Sequence, residues 1–335
     1  MKNEEVTPLN EYAYALKQTL TSLIREMSAA PAPYVKNPNK DFTRKKKLPF
    51  ETVMQLLISM IGNSIYKELL ESQGYDVNTA TTSAFVQQRN KIKPSAVEFL
   101  FHEFTQSYTD FKGYRGYRLL AIDGSDLHIA TDSADTDTYF QSQSNTKGYN
   151  LLHLNAVYDL CNSLYVDAIV QPRRLWNEGR ALADMVDRSP ITGKTIVISD
   201  RGYESYNNFA HIERKGWNYV IRVKDLDSNG ILSGLRLPSS GEFDRDFHLT
   251  LTKKQTKEIK AHPEIYKFVP STSTFDFWIC KRTCFTRFPF GLFVSSCRVA
   301  LMKPSLRIFP PLISHPMKSI LFITCDGVLK PLSGH

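Results

Sequence analysis

Two aspartates are placed where a metal site can form. Asp123 closes the strand-like run Ala121-Ile122-Asp123-Gly124-Ser125, and Asp200 closes a second one in Ile196-Val197-Ile198-Ser199-Asp200-Arg201-Gly202-Tyr203. Taken singly, an aspartate at a strand end is ordinarily a turn former or a helix cap. Here both follow apolar strands, and each has a glycine within two residues, a residue that lets the backbone turn away and leaves the carboxylate at the sheet edge. Two carboxylates brought within about 4 Å repel by roughly 4 kcal/mol at an effective dielectric of 20, so such a pair calls for a cation. Mg2+ (or Mn2+) suits oxygen ligands and phosphate substrates. Such ions activate a water or a 3′-hydroxyl and stabilise the leaving oxygen of a phosphodiester, which makes the expected chemistry phosphoryl transfer on DNA. Asp126 competes with Asp123, but it lies past the expected turn in a more polar segment, so Asp123 is the stronger candidate.

The elements that must hold these side chains follow from apolar spacing. Residues 1–40 read as a polar, helix-prone leader and a linker around Ala29 to Pro38. In the helical region expected over 41–116, Pro49 suits a helix start, and Phe50, Val53, Met54, Leu57, Ile58 and Ile61 follow at helical spacing. Further helices are expected through Lys67–Glu71, Ala84–Ile92 (with Thr81, Thr82 and Ser83 as capping candidates) and about Ser95–Tyr108. From Tyr117 the pattern changes. Strands are expected at Arg118–Asp123, Leu152–Tyr158, Ser163–Val170, Lys194–Ser199 and Asn218–Val223, with helices at Asn177–Arg188 and Ser205–Lys215. This alternation predicts an α/β core over 117–225. The alternating segments of 226–276 predict a β-rich insertion.

The charge of the whole chain misleads. A net charge of +8 in 335 residues would suggest an acidic partner. Residues 277–335, however, hold eight Lys and Arg against one acid, Asp326, a surplus of +7 that leaves residues 1–276 at +1. The same segment contains seven Phe and six Pro but no Glu, Gln, Asn or Tyr, and no glutamate follows Glu264. Folded surfaces use those missing residue types, so the segment is expected to be an out-of-frame tail on a C-terminal part that is incomplete. Cys280, Cys284, Cys297, Cys325 and His315 lie there too, at a spacing that lacks the paired ligands of structural zinc. Cys161 alone precedes them, as expected of a reduced, cytoplasmic protein. No apolar run approaches 18 residues, and no membrane partner is expected.

Other residues suit nucleic acid. Arg44, Lys45, Lys46 and Lys47 form a basic run able to neutralise phosphates. Gln87, Gln88 and Arg89 would lie on a helix, with side chains able to read base edges. Arg201, next to Asp200, could meet a phosphate, and Tyr203 could stack on a base or pack. Asn177 and Glu178 begin a helix, where capping and the dipole explain an acid first and a metal-adjacent or DNA-contacting role comes second.

The segments around both aspartates, with Lys147-Gly148-Tyr149-Asn150-Leu151-Leu152-His153-Leu154-Asn155-Ala156-Val157-Tyr158-Asp159 and Asn177-Glu178 between them, resemble the insertion-sequence-4-type DDE transposases of bacteria. The likeness runs in order from about Phe42 to Asp276. It implies a ribonuclease H-like catalytic core, an N-terminal helical DNA-binding region, and a β-rich insertion between the second and third acids. It implies Asp123 and Asp200 as the first two catalytic acids and metal ligands, and terminal inverted repeats and target DNA as double-stranded partners. A homodimer on DNA and a nucleoid-associated location follow in the same way. His153 and Asp159 match the resemblance without being catalytic, and both are expected to be structural. The third acid of such enzymes sits in a Tyr-x2-Arg-x3-Glu-x6-Lys pattern. No residue here matches it, so the third catalytic acid is none, and the chain is expected to be an inactive copy or a non-enzymatic DNA-binding remnant that poisons dimers.

Overall fold

The computed structural model describes residues 8–44, 47–141, 146–222, 230–235, 237, 243–278, 285–295 and 298–302. The chain divides into two compact units, Met1–Asp110 and Phe111–His335.

In the first unit, helices α1 (Pro8–Ala29), α2 (Phe50–Ser59), α3 (Ile65–Ser72), α4 (Thr82–Arg89) and α5 (Pro94–Gln106) enclose one core. Phe50, Val53 and Met54 fill it at the expected helical spacing. Ile24 and Met27 of α1, and Val35, join the same core, so this part of the stretch expected as leader and linker packs with the helices that follow. Thr81 caps α4 by accepting the Ala84 N–H, and Pro94 opens α5. The apolar face expected to run on through Ile58 and Ile61 stops short. The helix α2 ends at Ser59, and Ile61 is 82% exposed. Beyond it Gly62 takes φ +95°, and the buried Glu68 carboxylate accepts the N–H groups of Ile61 and Asn63 at 3.1 and 3.0 Å, locking the turn into α3.

In the second unit the chain runs through β1 (Arg118–Ile129), β2 (Tyr139–Phe140), β3 (Tyr149–Asp159), β4 (Leu164–Pro172), α6 (Glu178–Arg188), β5 (Thr195–Ser199), α7 (Tyr206–Arg214) and β6 (Asn218–Arg222). It continues with β7 (Phe243–Thr252), α8 (Lys257–Ala261), β8 (Tyr266–Phe268), β9 (Phe285–Ser295) and β10 (Arg298–Met302). The ten strands form one mixed sheet in the order β2-β3-β1-β5-β6-β10-β9-β7-β8, with β4 on the outer edge of β3. Strand alternation sends Leu120, Ile122, Val197, Tyr219 and Ile221 to one face, where they pack against Leu182, Met185 and Val186 of α6 and Phe209 and Ile212 of α7. Each such side chain, fully buried, contributes about 1.5–3 kcal/mol. Leu119, Ile196 and Ile198 face the other way and form a smaller cluster.

One expectation is corrected here. Asp123 does not end its strand, because β1 continues to Ile129 on its antiparallel ladder with β3. What ends beside it is the partner on the other edge, since β5 pairs with β1 only as far as Ile122↔Ser199. Within residues 277–335, residues 285–295 and 298–302 form β9 and β10, whose ladders join β7 to β6. Backbone pairing supplies what side-chain periodicity there lacks. No helix among the described residues is long and apolar enough to cross a membrane.

Candidate active site

The last parallel pair of β1 and β5, Ile122↔Ser199, places Asp123 and Asp200 next to each other one step further on. Both continue the face that carries Leu119 and Ala121 on one strand and Ile196 and Ile198 on the other. Asp200 follows directly on β5, and its side chain accepts the Arg201 N–H at 2.7 Å as it caps a single 3-10 turn, Arg201–Tyr203. Asp123 accepts the Gly124 N–H at 2.8 Å. Burial pushes the Asp123 carboxyl above its ordinary value. The Gly124 hydrogen bond opposes this, the charge of Asp200 adds to it, and His153 lowers it again. Arg222, at the end of β6, brings its Nη1 within 3.6 Å of Asp200 Oδ1, and nothing in the local sequence pointed to it.

The glycines do not turn the backbone. Gly124 lies inside β1, and neither it nor Gly202 has a left-handed φ. They leave room for a side chain from another element. A Cβ on Gly124 would stand 2.7 Å from His153 Nε2 and 3.0 Å from Glu178 Oε1, and one on Gly202 would stand 2.8 Å from Glu178 Oε2. Glu178 is the first residue of α6, and Asn177 caps that helix by accepting the Arg180 N–H at 2.9 Å. Burial raises the Glu178 carboxyl, His153 opposes that, and Asp123 adds to it.

His153, expected to be structural, stands at the centre of this group. Its Nδ1 lies 2.6 Å from Asp126 Oδ1 and its Nε2 lies 3.3 Å from Glu178 Oε1, the second without hydrogen-bond geometry. Arg173 Nε is 2.7 Å from Asp126 Oδ1 and its guanidinium lies over the Trp176 ring, which also meets His153. Burial would raise the Asp126 carboxyl, but its contacts with His153 and Arg173 prevail and hold it below the ordinary value. Tyr203 packs and does not stack on a solvent-borne base. It is buried, and its hydroxyl donates to Asn155 Oδ1 at 3.0 Å. Asp159 is fully buried against Arg118 at 2.6 Å and accepts the N–H groups of Cys161 and Asn162.

Among the DNA-contact candidates, Gln87 and Arg89 are exposed at the C-terminal end of α4. Gln88 and Arg44 line one depression together with Lys40 and Lys91. Lys47 is exposed and donates to the Asn78 carbonyl at 2.8 Å. Arg201 is exposed beside Asp200. Lys45 and Lys46 lie outside the described residues, as do Cys280, Cys284, Cys297, His315 and Cys325.

Among the described residues, no three His, Cys, Asp or Glu side chains converge as a complete set of metal ligands. The donors at hand are the oxygens of two neighbouring carboxylates. They fit a hard cation that keeps several of its own waters, as Mg2+ does. No curated protein matches the chain. Residues 114–278 match the family model described as the transposase DDE domain, ending one residue past Phe277, where the composition of the sequence changes. Just under half of the chain, from Tyr114 to Trp278, is thus similar to a transposase DDE domain.

Proposed function

We propose that the chain is a transposase of the bacterial insertion-sequence-4 type, with Asp123 and Asp200 as catalytic acids on a ribonuclease H-like core. The observation that carries this reading is the placement of the two carboxylates on one sheet face at the point where β5 ends and β1 runs on. The strand order β4-β3-β1-β5-β6, in which β3 alone runs against the others, supports the core assignment. Asp123 and Asp200 would hold Mg2+ or Mn2+, and the bound ion would polarise a phosphodiester and activate the attacking hydroxyl or water. Arg222 and Arg201 supply positive charge beside Asp200 for a phosphate oxygen. Arg44, Lys47, Gln87, Gln88 and Arg89, with Lys45 and Lys46, are assigned to terminal-repeat and target DNA held by a homodimer.

A second reading is favoured by one feature of the sequence, the lack of any glutamate after Glu264. On that reading residues 277–335 are out of frame, the copy does not cut, and the chain occupies transposon ends as a remnant that poisons dimers. Incubating the purified chain with Mg2+ and DNA that carries the element's ends distinguishes the two. Nicking lost in Asp200→Ala supports the enzyme, whereas a mobility shift without nicking supports the remnant. Neither a shift nor nicking overturns both.

A further inference from the structure

Glu178 is the first residue of α6, the helix that Asn177 caps. An acid at the first residue of α6 is favoured by the helix dipole alone, but a side chain with only that role needs no special accommodation from other elements. The Glu178 side chain is 21% exposed and is wedged between Gly124 and Gly202, the glycines that follow Asp123 and Asp200. Two backbone segments that carry the site's acids thus leave out a Cβ where this carboxylate lies. Behind it stands His153, 4% exposed, whose Nε2 points at Glu178 and makes no hydrogen bond, while its Nδ1 is fixed by Asp126. A buried polar atom left without a hydrogen bond costs about 1–3 kcal/mol, and here it lies 3.3 Å from Glu178 Oε1.

We propose that Glu178 is the third carboxylate of the Asp123–Asp200 site, and that it reaches a divalent cation through the cation's own water ligands, with His153 and Asp126 fixing its position. The inference rests on the metal-dependent reading of that site. Contact through water follows from two observations: no three acids among the described residues converge closely enough to ligate an ion directly, and Mg2+ gives up its waters reluctantly. Outer carboxylates of this kind orient bound water and tune metal affinity. The arrangement would let this chain hold a cation without any glutamate after Glu264.

The test is Mn2+ binding by the full chain, read by electron paramagnetic resonance of free Mn2+ and paired with the melting temperature of the metal-free protein. Asp123→Asn is expected to abolish binding and Glu178→Gln to weaken it by about tenfold. Gly202→Ala keeps every charge but places a Cβ 2.8 Å from Glu178 Oε2, so it too should weaken binding, and it covers the case in which Glu178→Gln fails to fold. If both variants bind Mn2+ like the wild type while Asp123→Asn does not, this inference fails and the two-aspartate site stands. A lowered melting temperature with unchanged affinity marks Glu178 as structural only and overturns it as well. If the wild type binds no Mn2+, both readings fall.

Discussion

Two buried histidines of the second unit each stand between two carboxylates, and they differ in how completely they are satisfied. His211 on α7 holds Asp187 through Nδ1 at 3.0 Å and Asp276 through Nε2 at 3.1 Å. Asp276 also accepts from Asn207 Nδ2 and donates its N–H to Asn207 Oδ1. His153 holds Asp126 at 2.6 Å, yet its Nε2 meets Glu178 at 3.3 Å without a hydrogen bond. The first network is closed and ties the segment at Asp276 to α7, with Phe277 edge-on to the His211 ring. The second is open on the side that faces the acids. Closed polar networks stabilise a fold, whereas an open one stores an unmet interaction that a ligand can meet.

The sharpest way to break this contrast is to delete each imidazole. His211→Ala leaves both acids without their shared partner and is expected to cost about 2–3 kcal/mol in urea unfolding, with Mn2+ affinity unchanged. His153→Ala should cost less, about 1 kcal/mol, and should weaken Mn2+ binding. The reverse pattern would remove the distinction between the two networks. Next in size is Gly124→Ala, whose Cβ would stand 2.7 Å from His153 Nε2. Crowding there should cost about 1–2 kcal/mol and lower Mn2+ affinity. A neutral result would mean that His153 and Glu178 withdraw freely.

How much of this was legible in the sequence depends on how local each cause is. Asp123 and Asp200 stand out because each follows its own apolar run and precedes a nearby glycine. The purpose of the glycines did not show, because Gly124, Gly202, His153 and Glu178 come from four different segments that only the fold brings together. Glu178 looked like an N-terminal acid because that explanation needs only its own helix. The continuation of β1 past Asp123 depends on the ladder with β3, and β9 and β10 depend on ladders with β7 and β6; both are non-local pairings. Residues 1–40 looked polar because α1 buries only one stripe, at Ile24 and Met27.

Asp123, beside the His153 network, and Asp276, within the His211 network, should respond to pH in opposite senses. Asp123 is raised by burial and by Asp200, so its charged form disfavours the folded state once the pH is above the ordinary carboxylate value. Asp123→Asn should therefore raise the metal-free melting temperature slightly at neutral pH while removing Mn2+ binding, a trade of stability for function.

The smallest effect concerns Asp276, whose carboxyl is lowered chiefly by its hydrogen bond with His211, against burial and with help from Asn207 and Arg180. A depressed carboxylate binds fewer protons folded than unfolded between its lowered value and its ordinary one of 3.8. Its contribution is thus fully present above that ordinary value and is lost as the pH falls through the lowered one. Asp276→Asn should therefore lower stability slightly near neutrality, where the carboxylate's contribution is fully present, and converge with the wild type in acid, which flattens the acid limb of the stability curve. Because the side chain is 40% exposed, solvent screening keeps the change small, and it should be smaller still at high salt. An acid limb that stays as steep in the variant would show that the His211 network does not bear on acid unfolding, and the contrast with His153 would then rest on metal binding alone.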